Sequence, residues 1–119
     1  MDGLTKNEGA LQMPANISDL GRFSGPGLLI LSSLAEGAKH GYAIMMDVQE
    51  FSGTKMEPGT LYGALTRLEQ RGWIEPLPPE ERRRPYRLTG AGATVLRQQL
   101  ASMDRIVRTG QQRLASAVV

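Results

Sequence analysis

The segment spanning residues 58–72 most constrains the fold, because it predicts a helix whose two faces differ in chemistry. At about 100° per residue its apolar side chains fall within one narrow arc and are expected to face a core: Leu61, Ala64, Leu65 and Leu68. The opposite arc carries groups that can stack, donate and accept: Tyr62, Gly63, Thr66, Arg67 and Gln70. Such a face can read nucleic acid, although the same pattern is typical of an ordinary amphipathic helix with a mixed polar surface.

Both ends of this helix carry residues that start or stop helices. Pro58 suits a first turn, and Thr60 is expected to cap free backbone amides with its hydroxyl. A phosphate is expected to bind at the same place, since helix N-termini attract anions. Gly72 predicts a left-handed residue that stops the helix.

Two shorter helices are predicted before this segment. The first follows Ser24-Gly25-Pro26, is apolar nearly all round and ends at Gly37, so it is expected to be central. The second follows His40-Gly41 and ends at Ser52-Gly53, and its apolar residues repeat at i, i+4 and i+7: Ile44, Val48 and Phe51. Three short helices joined by glycine-containing turns predict a helix-turn-helix core.

Residues 73–77 and 84–88 predict two short strands around a charged tip, which together form a wing. Pro76 and Pro85 each remove a hydrogen-bond donor, so the ribbon must be short. Four guanidinium groups lie within six residues: Arg82, Arg83, Arg84 and Arg87. They are expected to bind DNA phosphates or to enter a minor groove, and the alternative is a solvated loop with internal ion pairs.

A long final helix is predicted after Thr89, which is expected to cap it. Its apolar residues alternate spacings of three and four in an unbroken heptad stripe: Ala93, Leu96, Leu100, Met103, Val107, Gly110, Leu114 and Ala117. The remaining positions are polar, so the stripe needs a partner. We therefore expect a homodimer that pairs through Leu96, Leu100, Met103, Val107 and Leu114.

These elements predict a fold that is mainly α with a small β wing. Residues 1–25 show no persistent period and are expected to form a partly flexible N-terminal extension. Residues 26–88 are expected to form a winged helix-turn-helix domain, and residues 89–119 a dimerisation helix. The arginine-rich composition and a pI of about 9.3 lean toward polyanionic partners without demanding them. Together with the reading face and the wing, they make double-stranded DNA the expected partner.

Other classes of function find no support in the sequence. There is no cysteine, and His40 is the only histidine, so thiolate and multi-histidine metal sites are excluded and no cofactor is expected. No catalytic motif is present, so an enzyme is not expected. The longest apolar run, residues 28–31, is far too short to span a membrane, and no signal pattern begins the chain. We expect a cytoplasmic protein.

Several spaced motifs together resemble the PadR family of bacterial transcriptional regulators. They are His40-Gly41-Tyr42, Gly59-Thr60-Leu61-Tyr62, Arg67-Leu68-Glu69 and Tyr86-Arg87-Leu88-Thr89, and the resemblance covers about residues 26–100. It implies a winged helix-turn-helix domain, a C-terminal helix that dimerises, and repression of nearby genes relieved by a small molecule. The short C-terminal part resembles the compact branch of the family, which has a single dimerisation helix.

The resemblance also bears on two aromatic residues. It places Tyr42 at the start of the second helix, where it can reach a backbone phosphate, and the alternative is a half-buried packing tyrosine. Trp73 stands where the family usually has an aliphatic residue, so we expect it to pack in the core, and the alternative is that it stacks on a ligand. Multidrug-sensing relatives carry a ligand-stacking tryptophan on the final helix, which here has no aromatic residue, so their ligands do not carry over.

Two functions remain in view. The first is a sequence-specific DNA-binding repressor whose DNA contacts come from ten residues: Tyr42, Thr60, Tyr62, Gly63, Thr66, Arg67, Arg82, Arg83, Arg84 and Arg87. The second is a winged-helix module that binds another protein without sequence-specific DNA binding. Affinity for DNA as a function of salt discriminates between them, because phosphate contacts release counterions.

Overall fold

A computed structural model describes residues 25–117 and is mainly helical, with a small antiparallel sheet. The elements are, in chain order, α1 (Pro26–Leu34), β1 (Lys39–His40), α2 (Gly41–Ser52), α3 (Pro58–Gln70), β2 (Ile74–Pro76), β3 (Pro85–Leu88) and α4 (Gly90–Ser116). The predicted fold class, mainly α with a small β wing, is confirmed. The predicted N-terminal extension lies outside the described residues, apart from Gly25.

The first three helices enclose one apolar core, as their periodicity predicts. Its members come from all three helices, from the loop before α3, from β2 and from α4: Ile30, Leu31, Leu34, Ile44, Val48, Met56, Leu61, Ala64, Leu65, Leu68, Ile74 and Leu96. Phe51 was expected on the apolar face of α2 but is 51% exposed. It lies in the last turn of α2, where Gly53 already turns the chain away from the core.

The residues at the helix ends confirm most of the predicted boundaries. Gly53 and Gly72 adopt left-handed φ angles of 75° and 76° next to the ends of α2 and α3, where a side chain would be strained. The Thr89 hydroxyl accepts a hydrogen bond from Gly92 N at 3.0 Å and so caps α4. The prediction that Thr60 caps α3 was wrong. Because Pro58 occupies the first turn, the cap position falls on Glu57, whose side chain makes no capping hydrogen bond.

The sheet contains the predicted wing ribbon and one strand that the sequence did not reveal. Strands β2 and β3 pair antiparallel, with Ile74 opposite Leu88. Strand β1 pairs with the other edge of β3, with His40 opposite Pro85, so the order is β1-β3-β2. A strand of two residues is too short to show an alternating pattern, so the sequence does not predict β1. Its effect is to tie the start of α2 to the wing.

The long helix α4 divides into a packed half and a projecting half. Gly92 lies against the main chain of Trp73, and Leu96 is 5% exposed within the core of its own chain. The prediction that Leu96 belongs to a dimer contact is therefore corrected. The heptad pattern groups Leu96 with apolar residues further along the helix. Of these, Leu100, Val107 and Leu114 are 47%, 50% and 78% exposed. Met103 is partly buried, and every residue from 104 to 117 is exposed.

Candidate nucleic-acid interface

The outer face of α3 presents the side chains that the sequence assigned to DNA reading. Burial of Leu61 and Leu65 fixes the rotation of the helix, which leaves Tyr62 53% exposed and Thr66 and Arg67 exposed as well. The Thr66 hydroxyl donates to the Tyr62 carbonyl at 2.9 Å. A Cβ atom at Gly63 would lie 3.5 Å from Nη1 of Arg67 and near no other neighbour. Because glycine has no side chain, nothing projects from the outer face of α3 at this position. Thr60 is exposed one turn nearer the N-terminus.

A close contact joins α3 to the start of α2. A Cβ atom on Gly41 would lie 2.7 Å from the Tyr62 hydroxyl oxygen, so the phenol rests on the bare backbone of Gly41. Any side chain at Gly41 would displace Tyr62 or itself. Tyr42 follows directly and is 61% exposed. That exposure favours a partner-facing role for Tyr42 over the alternative of a packing tyrosine.

The wing ends in a tight turn made without glycine. Glu80 and Arg83 exchange two backbone hydrogen bonds of 2.6 and 2.8 Å. The two residues between them, Glu81 and Arg82, have φ angles of 48° and 72°. This is the two-residue hairpin geometry that asparagine and glycine usually provide, so each residue carries strain of about 1 kcal/mol or more. The turn therefore holds the tip arginines at a conformational cost.

The four wing arginines have different partners. Arg87 forms an ion pair with Glu75, in which Nε donates to Oε2 at 2.8 Å. The Nη1 atom of Arg84 donates to the Leu77 carbonyl at 3.1 Å. The Nη1 atom of Arg83 lies 3.1 Å from His40 Nε2. Arg82 has no side-chain hydrogen bond to any residue of the described part, 25–117. Of the four wing arginines, Arg87 alone forms the internal ion pair that the alternative predicts. An exposed ion pair of this kind is weak, so a phosphate can replace the Glu75 carboxylate as the partner of Arg87.

Sequence reasoning missed two residues near this surface, His40 and Tyr86. Tyr86 lies on β3 between β1 and β2 and packs against the core. Burial raises the pKa of Tyr86 above its ordinary value, and the charge of Glu69 adds to the effect while Arg84 opposes it. The strand alternation that sets Tyr86 apart from Arg87 was the available signal.

Behind α3 lies a cavity of about 590 Å³ between α1, α3 and α4. Its lining includes Leu31, Leu68, Trp73, Arg67, Arg71 and Gln99. The Arg71 guanidinium lies 5.2 Å from the centre of the Trp73 ring, within the range of a cation–π contact. Trp73 packs against the core, as predicted, and it also forms one wall of this cavity.

Two negative findings apply to residues 25–117. No group of three or more His, Cys, Asp or Glu side chains is placed to hold a metal ion in this part of the chain. None of its helices is long and apolar enough to cross a membrane.

Comparison with known proteins decides the family. The model of the transcriptional regulator PadR-like family matches residues 30–98, more than half of the chain. The chain belongs to the PadR-like family. This membership confirms the resemblance found in the motifs. The match begins within α1, includes α2, α3 and the wing, and ends within α4, so the projecting part of that helix lies beyond it.

Solved structures of transcriptional regulators share the fold. A transcriptional regulator from Clostridium thermocellum is 30% identical, with a TM-score of 0.69 over 79% of this chain and 96% of that one. A PadR family transcription regulator from Clostridium difficile is also 30% identical, with a TM-score of 0.68 over 74% of this chain and 96% of that one.

One relative is known from its sequence. An uncharacterized 37.1 kDa protein of transposon TN4556 from Streptomyces fradiae is 44% identical over 79 residues. That match covers 66% of this chain and 23% of the transposon protein.

Proposed function

We propose that this PadR-family protein is a sequence-specific repressor that binds double-stranded DNA as a homodimer. The observation that carries the proposal is the convergence of three elements on one exposed surface. The outer face of α3, the start of α2 and the wing meet there through the Tyr62–Gly41 contact and the Arg83–His40 contact. Helix α3 lies in the major groove in this proposal, and the wing follows the adjacent backbone.

The chemistry of α3 supports direct reading of bases. Thr66 offers a methyl group that suits the methyl of thymine, and Tyr62 offers a ring and a hydroxyl. Arg67 can donate two hydrogen bonds to guanine or bind a phosphate. Thr60 lies in the first turn of α3, where free amides attract a phosphate, and Gly63 lets the backbone approach the groove closely.

The wing and α2 supply contacts that carry no sequence information. Arg82 and Arg83 at the tip are the best-placed phosphate ligands, because their guanidinium groups are not held by carboxylates of the described residues. Arg84 and Arg87 contribute from the arms of the wing, and Arg87 must first leave Glu75. Tyr42 adds a phosphate contact from the start of α2.

The homodimer is proposed because the projecting half of α4 exposes an apolar stripe. Leu100, Val107 and Leu114 are all at least 47% exposed, and Met103 lies between the first two along the stripe. A second copy of the same helix covers such a stripe in an isologous pair. Two-fold symmetry then presents two α3 helices to two half-sites of one operator.

The test of base reading compares two α3 variants with a neighbouring control. Tyr62→Ala and Thr66→Ala should each weaken binding to an operator selected from random sequences by about 1–3 kcal/mol. Binding to random duplex should hardly change, because the positive charge is kept. Glu69→Ala, on the same helix, should not show this loss of preference. Variants that stay folded and keep the full preference for operator would remove α3 from the groove.

A protein-binding winged helix is the alternative function, and it makes a different prediction about salt. For DNA binding, the logarithm of the affinity falls with the logarithm of salt concentration by roughly 0.9 per neutralised phosphate. Replacing Arg82, Arg83 and Arg84 together by Ala should lower that slope by up to about three and weaken operator and random duplex alike. An unmutated protein without measurable, salt-dependent affinity for duplex would favour the alternative.

Relief of repression by a small molecule is part of the proposal, and the cavity behind α3 supports it. The Trp73 ring and two arginines favour a flat, negatively charged ligand, which would contact Arg67 at the edge of the outer face of α3. Trp73 is the only tryptophan of the chain, so its fluorescence reports on the cavity directly. Aromatic carboxylates should quench Trp73 and weaken operator binding together. Quenching without a change in operator binding would separate the cavity from regulation.

A further inference from the structure

His40 contacts three parts of the proposed DNA-binding surface. It is the last residue of β1 and pairs with Pro85 of β3. It also occupies the cap position of α2, where its Nδ1 atom lies 3.4 Å from Ala43 N. On the other side of the ring, Nε2 lies 3.1 Å from Nη1 of Arg83. The ring therefore sits between the start of α2 and the tip of the wing.

Both ring nitrogens of His40 face hydrogen-bond donors, and a neutral imidazole has only one lone pair with which to accept. The contact with Arg83 is the shorter one, and its donor carries a positive charge, which strengthens the bond. The contact with Ala43 lies beyond the usual range for an N–H donor. In the tautomer that carries its lone pair on Nε2, His40 accepts from Arg83.

We propose that His40 is a positioning residue for DNA binding, and that it holds the guanidinium of Arg83 in place for a backbone phosphate. The inference rests on the proposed DNA-binding function. The strained turn fixes the main chain of Arg83, and the imidazole fixes the far end of its side chain. The bound guanidinium then lies at the start of α2, next to Gly41 on which Tyr62 rests. A phosphate there flanks the bases that α3 contacts.

Arg82 provides the internal comparison. It belongs to the same turn, carries the same charge and is also exposed, but it has no side-chain hydrogen bond within the described residues. Its guanidinium must be ordered when DNA binds, whereas that of Arg83 is already held. Loss of His40 should therefore act through Arg83 and leave the contribution of Arg82 unchanged.

The experiment separates positioning from capping with His40→Asn. Asparagine is a good helix cap, so α2 keeps its start, but its side chain is too short to reach Arg83. The full-length variant should bind a duplex of random sequence about three- to tenfold more weakly, with a salt slope lower by up to about 0.9. His40→Gln, which is longer and keeps an acceptor, should recover part of the loss. Thermal unfolding checks that each variant is folded.

Double variants give the deciding comparison. In the Arg83→Ala background, His40→Asn should cause no further loss of affinity. In the Arg82→Ala background, it should cause its full three- to tenfold loss. Should His40→Asn unfold early, His40→Ser, which also caps helices, replaces it in the same cycle.

Each contrary outcome has a distinct meaning. Unchanged affinity and slope in folded His40→Asn would overturn the positioning role while the unmutated protein still binds DNA. Equal losses in the Arg82→Ala and Arg83→Ala backgrounds would overturn it too, since His40 would then act without Arg83. An unmutated protein that fails to bind any duplex would instead refute the proposed function itself.

Discussion

The two halves of α4 carry one apolar pattern and meet different surroundings. In residues 90–99, Gly92 and Leu96 are buried by the rest of the chain. In residues 100–116 no residue is fully buried, although Leu100, Val107 and Leu114 continue the same stripe. A heptad pattern thus identifies which face of a helix is apolar. It does not say whether that face is covered by the same chain or by another.

The difference between the halves has a physical origin. The proximal half is held by its cap at Thr89 and by burial of Leu96 in the core. The projecting half has its own backbone hydrogen bonds and an exposed ion pair between Asp104 and Arg108, and an isolated helix of that length is marginal in water. The proposed association through the stripe would supply the missing stabilisation. The following predictions test this contrast, beginning with the largest expected effect.

The largest effect is expected at Gly92, where α4 begins. A Cβ atom at this position would lie 2.0 Å from the Trp73 carbonyl oxygen, and that oxygen already accepts a hydrogen bond from Thr89 N at 3.1 Å. Because main chain on both sides must shift, Gly92→Ala should destabilise the fold by about 3 kcal/mol or more. Chemical denaturation measures this loss. A change below about 1 kcal/mol would show that the junction of α4 with β2 is loose.

The second prediction concerns the projecting stripe. Leu100→Glu together with Met103→Glu should raise the dimer dissociation constant at least about 100-fold. The glutamates of one helix would then face the glutamates of the other across the seam, and their negative charges would repel. Light scattering at tens of micromolar protein should then report a monomer. The helical content of the winged helix-turn-helix part should persist, because neither residue belongs to its core.

A matched control places the same two charges on the opposite side of α4. Gln98 and Ala101 are exposed and have the same spacing as Leu100 and Met103. Gln98→Glu with Ala101→Glu should leave the dimer intact. A monomeric unmutated protein, or equal loss in both double variants, would contradict pairing through the stripe.

The sequence predicted the parts of this molecule that depend on local rules. The core face of α3, the left-handed stops at Gly53 and Gly72, the Thr89 cap and the β2–β3 ribbon all follow from periodicity or backbone preference. The failures involve contacts between distant segments. Three features depend on how distant elements pack: the burial of Leu96 in its own chain, the pairing of β1 and the Arg83–His40 contact. No spacing along the chain encodes that packing.

The candidate site shows the same division between local and distant information. Exposure of Tyr62 and Thr66 follows from the period of α3, and the charge of the wing is evident from four arginines in six residues. The distribution of partners among those arginines was not predictable, because Glu75, Leu77 and His40 approach them only in the folded sheet. The sequence identifies the charged segment, and the folded structure shows which of its arginines have hydrogen-bond partners.

The smallest expected effect is at Gly110, the counterpart of Gly92 in the projecting half of α4. Nothing within 4 Å would meet a Cβ atom there, and its φ is not left-handed. Alanine costs less conformational entropy than glycine in a helix, so Gly110→Ala should stabilise the protein by up to about 1 kcal/mol. Thermal unfolding at fixed protein concentration measures the gain. Destabilisation accompanied by weaker dimerisation would instead show that the partner helix approaches closely at Gly110. That result would sharpen the comparison, because both glycines of α4 would then serve close packing, Gly92 within its own chain and Gly110 between two chains.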